Sequence, residues 1–360
     1  MRIAIVQGTR PEIIKNYAIV NALEKAHIPY EVLHTNQHSD PSMCGSIYAD
    51  MGYDLSRKMS EPYRLGAAID WLQRTFKRDN ITHVIVNGDT AASLEGALAA
   101  MYMDLDVTHI EAGLRSRDKF MYEERNRIMV DSVASLLFAY TEHEQRLLQD
   151  CPDIHGEVYC DGNTTVDVLQ DFAEKIRHRV FDGDYLYVTM HRKQFTDSGE
   201  RMRKVFAILR AIAEHRCAVV FPMHPRTVNA MRRWGINQSV LGPVLNIPPV
   251  APFDSLSFAK HAKAVLTDSG CLQEEAYMLG VPCVTIRNNT ERHLTVRNGA
   301  NVVTGFRRSS ILRAVDWACD ARHPAWPEIY GASGAGERIV NRIVEYGQVN
   351  YVAVERAQAS

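Results

Sequence analysis

No stretch of the 360-residue chain approaches the ~20 consecutive apolar residues that a membrane-spanning helix needs, so no membrane partner is expected. Charge of one sign is lacking too, since 41 Lys and Arg against 43 Asp and Glu leave a formal net charge of −2. Without a basic field, nucleic acid and anionic bilayers are poor partners, and any phosphate-binding charge has to be local. Cysteine is sparse: seven residues, an odd number with no CxxC spacing, which excludes a disulfide scaffold and predicts reduced thiols. The N-terminus enters a strand without the apolar core of a signal peptide, which together with the thiols predicts a cytoplasmic protein. Neither HxH nor HExxH occurs, and the strand-end motifs hold no tight Asp-x-Asp, so no metal is expected. No GxGxxG follows the first strand and no Walker lysine motif is present, which argues against NAD binding and P-loop phosphoryl transfer.

What remains is ordinary globular composition, 46 % hydrophobic and 23 % charged, in a chain long enough for two full cores. Short apolar runs alternate with amphipathic stretches. The runs at 2–6, 30–34, 84–86, 107–110, 136–139 and 158–160 predict strands, with helices over 11–26, 64–77, 91–101 and 123–134. A second set follows, with strands at 185–189, 218–222, 244–247, 264–267 and 283–286 and helices at 199–215 and 272–279. Such alternation predicts an α/β fold of two doubly wound, Rossmann-like domains facing a cleft, with ligands beyond the carboxyl ends of the strands. The boundary is expected within "DGNTTVDVL", giving domains over 1–167 and 168–336, and a last helix near 337–360 that can return to the first domain.

Polar residues at the strand ends carry the chemistry. "GTRPEIIK" leaves the first strand through a glycine and brings Arg10, Glu12 and Lys15 with it. "NGDT" places Asp89 past a buried strand, "IEAGLRS" does the same for Glu111 and Arg115, and "EERNR" adds Glu123, Glu124, Arg125 and Arg127. In the second half "TMHRKQF" ends a strand at His191 and "MHPRT" ends another at His224. "TDSGCLQEEA" turns through Ser269 and Gly270 into a helix whose N-terminus suits a diphosphate, with Glu274 and Glu275 one turn on. Any one such carboxylate is most often a helix cap, and a lone histidine most often structural. Together, on the edges of two parallel sheets, they point to acid–base chemistry.

The motifs "GTRPEIIK", "NGDT", "IEAGLRS", "EERNR", "GNTTVDVL", "MHRKQF", "HPRT", "TDSGCLQEEA" and "TERHLTVRNGANVVTG" resemble the non-hydrolysing UDP-N-acetylglucosamine 2-epimerases, in order and spacing, over roughly residues 1 to 305. Thr9-Arg10-Pro11-Glu12 differs from the Ser-Arg-Ala-Glu opening of the hydrolysing relatives. The resemblance implies a GT-B-like fold, a homodimer, and interconversion of UDP-GlcNAc and UDP-ManNAc without metal or other cofactor. It implies Asp89, Glu111, Glu124 and His191 as catalytic residues. Arg10 and Lys15 become contacts to diphosphate and sugar, and Ser269, Gly270, Glu275 and Arg292 contacts to the nucleotide. Gln37, His38, Arg115, Arg127 and His224 complete the expected substrate-binding set. The family's Gly-Gln-His is Asn36-Gln37-His38 here, its Arg-Arg-Glu-Asn after the catalytic histidine is Arg192-Lys193-Gln194-Phe195, and "TER" is followed by His293 in place of proline. Tyr122 stands where proline usually precedes the paired glutamates. These changes raise epimerisation of another UDP-acetamido sugar, such as a UDP-2,3-diacetamido glucuronate, as a competitor; the shared fold adds a GT-B glycosyltransferase, and a catalytically silent nucleotide-sugar sensor is the third.

Overall fold

A run of four apolar residues with no polar alternation has to be covered on both faces, and Ile3, Ala4, Ile5 and Val6 are completely buried. They form β1 (Ile3–Gln7), an interior strand of an all-parallel sheet in the computed structural model, which describes residues 1–37, 47–320 and 323–358. The other strands of this sheet are β2 (Tyr30–His34), β3 (Arg57–Lys58), β4 (His83–Asn87), β5 (Asp106–Ala112), β6 (Leu136–Ala139) and β7 (Glu157–Cys160). Among the described residues their spatial order is β3-β2-β1-β4-β5-β6-β7. Ile3 is in register with Tyr30 on one side and His83 on the other. Strand order therefore reverses between β1 and β4, which opens a crevice at their carboxyl ends.

The second sheet repeats the plan. Its strands are β8 (Tyr185–Thr189), β9 (Ala218–Pro222), β10 (Leu245–Ile247), β11 (Ala264–Thr267), β12 (Cys283–Thr285) and β13 (Asn301–Val303), in the order β10-β9-β8-β11-β12-β13 and all parallel. Apolar clusters cover both faces, one around Leu186, Val188, Phe206 and Phe221, the other around Tyr185, Tyr187, Phe258 and Val265. The expected architecture of two doubly wound α/β domains is present. β3 and β13 carry no signal in the sequence: one is two exposed residues at an edge, the other three residues long.

The chain divides into one unit of Met1–Asp171 with Tyr330–Ser360 and a second of Phe172–Ile329. Residues 168–171 and 330–336, counted above with the second domain, thus cluster with the first. A single carboxylate accounts for much of this. Asp167 accepts hydrogen bonds from Ser333 Oγ at 3.0 Å and from the backbone nitrogens of Gly334 at 2.5 Å and Gly336 at 2.9 Å, capping the helix Ala335–Gln358. That helix packs on the helix Arg10–Lys25 so closely that a Cβ on Gly336 would lie 2.3 Å from the Ala18 carbonyl oxygen. No helix among the described residues is long and apolar enough to cross a membrane.

Candidate active site

The first unit assembles its polar residues at the carboxyl ends of β1, β4 and β5. Thr9 caps the helix Arg10–Lys25 in a reciprocal box with Glu12, and Pro11 presets its first turn. Glu12 does more than cap. One carboxylate oxygen accepts from the nitrogens of Gly8 and Thr9 at 2.8 Å, the other from Thr90 Oγ1 at 2.5 Å and Ser93 Oγ at 3.0 Å. It thereby ties the turn after β1 to the turn after β4. Burial pushes its pKa up against these donors, which pull it down. Arg10, at the first position of the same helix, stays partly exposed.

Lys15 points inward from that helix. It is buried, pairs with Glu111, and lies over the Tyr140 ring at 5.7 Å from the centroid. Tyr140 Oη donates to the same Glu111 oxygen at 3.4 Å. Lys15, expected at the diphosphate and sugar, meets the Glu111 carboxylate in this structure. Glu111 has a φ of +71° where the β5–β6 register shifts between Ile110 and Ala112. A left-handed non-glycine residue stores ~1–3 kcal/mol, and such strain concentrates at functional sites.

Asp89 and Glu124 share one cation. Arg127 is completely buried, pairs with Asp89 through one nitrogen and donates to Glu124 at 2.9 Å through another. Glu124 also accepts from Ser116 N at 2.7 Å, Ser116 Oγ at 2.9 Å and Arg117 N at 2.9 Å. Arg127, expected on the substrate, meets these two carboxylates. Its null exposure and two acid partners make it their counter-ion. Arg115, also expected on the substrate, pairs with buried Asp131 at 2.7 Å. Gln37 accepts from Ala92 N at 3.1 Å, at the start of the helix that follows Asp89. His38 lies outside the described residues.

The second unit presents a histidine pair. The backbone nitrogen of His191 donates to Asp268 at 2.9 Å, its ring Nδ1 lies 3.9 Å from the same carboxyl group, and its ring stacks on His224 at 4.7 Å. His224 caps the helix Pro225–Arg233, with its Nδ1 accepting from Arg226 N at 3.1 Å. Asp268 is buried, and desolvation pushes its pKa up against the backbone donors of Arg192 and His191. Ser269 caps the helix Gly270–Met278. Of the glutamate pair there, Glu274 is buried and meets Arg292 Nε at 2.7 Å, while Glu275 is partly exposed. Arg292 Nη2 sits 3.7 Å from where a Gly270 Cβ would be, so the guanidinium borders the turn.

Four residues of these networks were not among the expected site residues. Asp268 stood inside a quoted motif, and a carboxylate ending a strand was signal enough. Tyr140 and the His109–Asp131 pair were hidden, because apolar-flanked aromatic and histidine residues read as core. The first unit offers carboxylates held by cations, which can move protons. The second offers a histidine, a helix N-terminus and an arginine, which can bind an anion.

A sequence model of the family described as UDP-N-acetylglucosamine 2-epimerase matches residues 21–344. The UDP-N-acetylglucosamine 2-epimerase of Methanocaldococcus jannaschii is 36% identical over 97% of this chain and 100% of its own. The crystal structure of the UDP-GlcNAc 2-epimerase of that organism, in complex with UDP-GlcNAc and UDP, superposes with a TM-score of 0.88 at 34% identity, covering 96% of this chain and 100% of the other. The UDP-2,3-diacetamido-2,3-dideoxy-D-glucuronate 2-epimerase of Pseudomonas aeruginosa is 30% identical over 96% of this chain and 100% of its own.

Proposed function

The chain belongs to the UDP-N-acetylglucosamine 2-epimerase family and is a UDP-sugar epimerase, and from that premise we propose that it interconverts UDP-GlcNAc and UDP-ManNAc at C2 by reversible elimination of UDP. The observation that carries the reading is the group Asp89, Glu111 and Glu124 at one sheet edge, each with a buried cation beside it. The C2 proton of a 2-acetamido sugar is weakly acidic, so its removal has to accompany departure of the diphosphate from C1. A base takes the C2 proton, the C1–O bond to UDP breaks, and a C1=C2 double bond forms, giving 2-acetamidoglucal. A proton then returns to the opposite face of C2 as a diphosphate oxygen re-attacks C1, which inverts C2 and restores the UDP-sugar.

Two faces need two proton-handling groups, drawn from Asp89, Glu111, Glu124 and His191. Asp89 is the most open carboxylate, its side chain 18% exposed against 4% for Glu111 and Glu124, which suits direct contact with the sugar. Glu111 and Glu124, held by Lys15 and Arg127, keep the local field in place. Arg10, Ser269, Gly270 and Arg292 stabilise the leaving diphosphate, and Glu275 takes the ribose hydroxyls. Assembly as a homodimer in the cytoplasm, with no metal or other cofactor, is part of the same proposal and follows the family resemblance.

A second reading, epimerisation of a UDP-2,3-diacetamido glucuronate, draws on the Pseudomonas relative. Incubation with a panel of UDP-sugars and no acceptor, followed by NMR, separates the two and also tests glycosyl transfer. In deuterated water the product should carry deuterium at C2. Asp89→Asn or His191→Asn should lower turnover by ~10²–10⁴-fold, the size of a lost acid–base group. Product free of solvent deuterium would refute the elimination.

A further inference from the structure

Asp89 sits in front of a second buried charge network that the proposed chemistry does not use. His109, on β5, is completely buried. Its Nδ1 is 2.7 Å from Asp131 Oδ1, and its Nε2 is 2.9 Å from the carbonyl oxygen of Gly88, the residue just before Asp89. A carboxylate and a carbonyl can only accept. Each ring nitrogen therefore donates, and the ring carries both protons. Asp131 is the matching anion. Burial pushes its pKa up, but His109 and Arg115 outweigh burial and hold it below the usual carboxylate range. Its second oxygen takes Arg115 at 2.7 Å and Gly113 N at 3.3 Å.

The turn that presents Asp89 is consequently held at three atoms. His109 binds the Gly88 carbonyl, Asn126 Nδ2 donates to the Asp89 carbonyl at 2.9 Å, and Arg127 pairs with the Asp89 carboxylate. Gly88 has a φ of +79°, a conformation that glycine adopts freely and side chains resist. Asn126, Arg127 and Asp131 all belong to the helix Tyr122–Val133, which also carries Glu124.

We propose that His109 is a positioning residue for the epimerisation: as a buried imidazolium it fixes the Gly88–Asp89 peptide and, through Asp131, locks that turn to the helix bearing Glu124 and to Arg115 after β5. The proposal rests on the reading of Asp89 as a reacting group. A neutral ring has one N–H, so it would leave either the Gly88 carbonyl or Asp131 Oδ1 without the His109 donor. Loosening the turn displaces Asp89, and a misplacement of about 1 Å costs ~10²-fold in rate.

The first test needs no variant. In full-length protein with ¹⁵N-labelled histidine, long-range ¹H–¹⁵N spectra near neutral pH should show one ring with both nitrogens protonated, assigned to His109 by its absence in His109→Gln. Should that protein not fold, the perturbation of the same ring in Arg115→Lys assigns it. The second test is kinetic. His109→Gln should lower kcat by ~10–100-fold with KM within about twofold, leave UDP affinity unchanged, and add no further loss to Asp89→Asn. A bare nitrogen on the wild-type His109 ring overturns the proposal, as does a loss that multiplies with that of Asp89→Asn. An Asp89→Asn enzyme of full activity would instead remove the acid–base role of Asp89, and it is told apart because the doubly protonated ring would persist.

Discussion

Replacing Glu95 by glutamine should stabilise the protein at alkaline pH and leave it nearly unchanged in acid. Glu95 lies in "SLEGALAAM", on the helix that follows Asp89, and is completely buried. Tyr63 Oη donates to it at 2.7 Å. Burial pushes its pKa up from 4.5 to about 7, against the hydrogen bonds from Tyr63 and Thr35, which pull it down. Below pH 4.5 the folded and unfolded chains both hold the proton, and the site costs nothing. As pH rises from 4.5 towards 7 the unfolded chain ionises while the folded one keeps its proton, so stability falls. Above 7 the whole penalty is present, about 3 kcal/mol at ~1.4 kcal/mol for each tenfold change in proton affinity. Glutamine keeps the oxygen that accepts from Tyr63 and does not titrate. The variant should therefore match the wild type within about 1 kcal/mol at pH 4.5 and exceed it by up to about 3 kcal/mol at pH 8. Native-state hydrogen exchange at the amides of β1 and β4 reports the first unit by itself. Identical pH dependence in the two proteins, or a glutamine variant less stable at pH 8, would refute the argument, because either result means that the carboxylate is ionised and satisfied where it sits.

Arg127→Met should destabilise the first unit by ~3–5 kcal/mol, since it leaves Asp89 and Glu124 without the cation they share, and urea unfolding measures it. Arg127→Lys, which keeps the charge but loses the fork, should recover part of that loss. Glu275→Ala should weaken UDP binding by ~1–3 kcal/mol in calorimetry, the scale of a lost charged hydrogen-bond partner, and unchanged affinity would reject its placement on the ribose.

Much of this molecule is written locally. The apolar runs of β1, β4, β6, β8, β9 and β11 follow from side-chain hydrophobicity alone, because a strand buried on both faces needs no partner to be recognised. The same holds for the turns: Gly8, Gly88 and Ser269 stand where a strand hands over to a helix, and Asp89, Glu111 and His191 stand at or just past the ends of strands. Strand order and partner choice are different, because they depend on contacts between residues far apart in the chain. Nothing near Arg127 says that its guanidinium bridges Asp89 and Glu124, and nothing near Lys15 says that it reaches Glu111, 96 positions on. Asp167 likewise reads as an ordinary helix residue until the last helix arrives to be capped by it. A charged side chain announces in sequence only that it must be paired or solvated. Which of the two it meets is a property of the packed interior, where desolvation makes the distant partner obligatory.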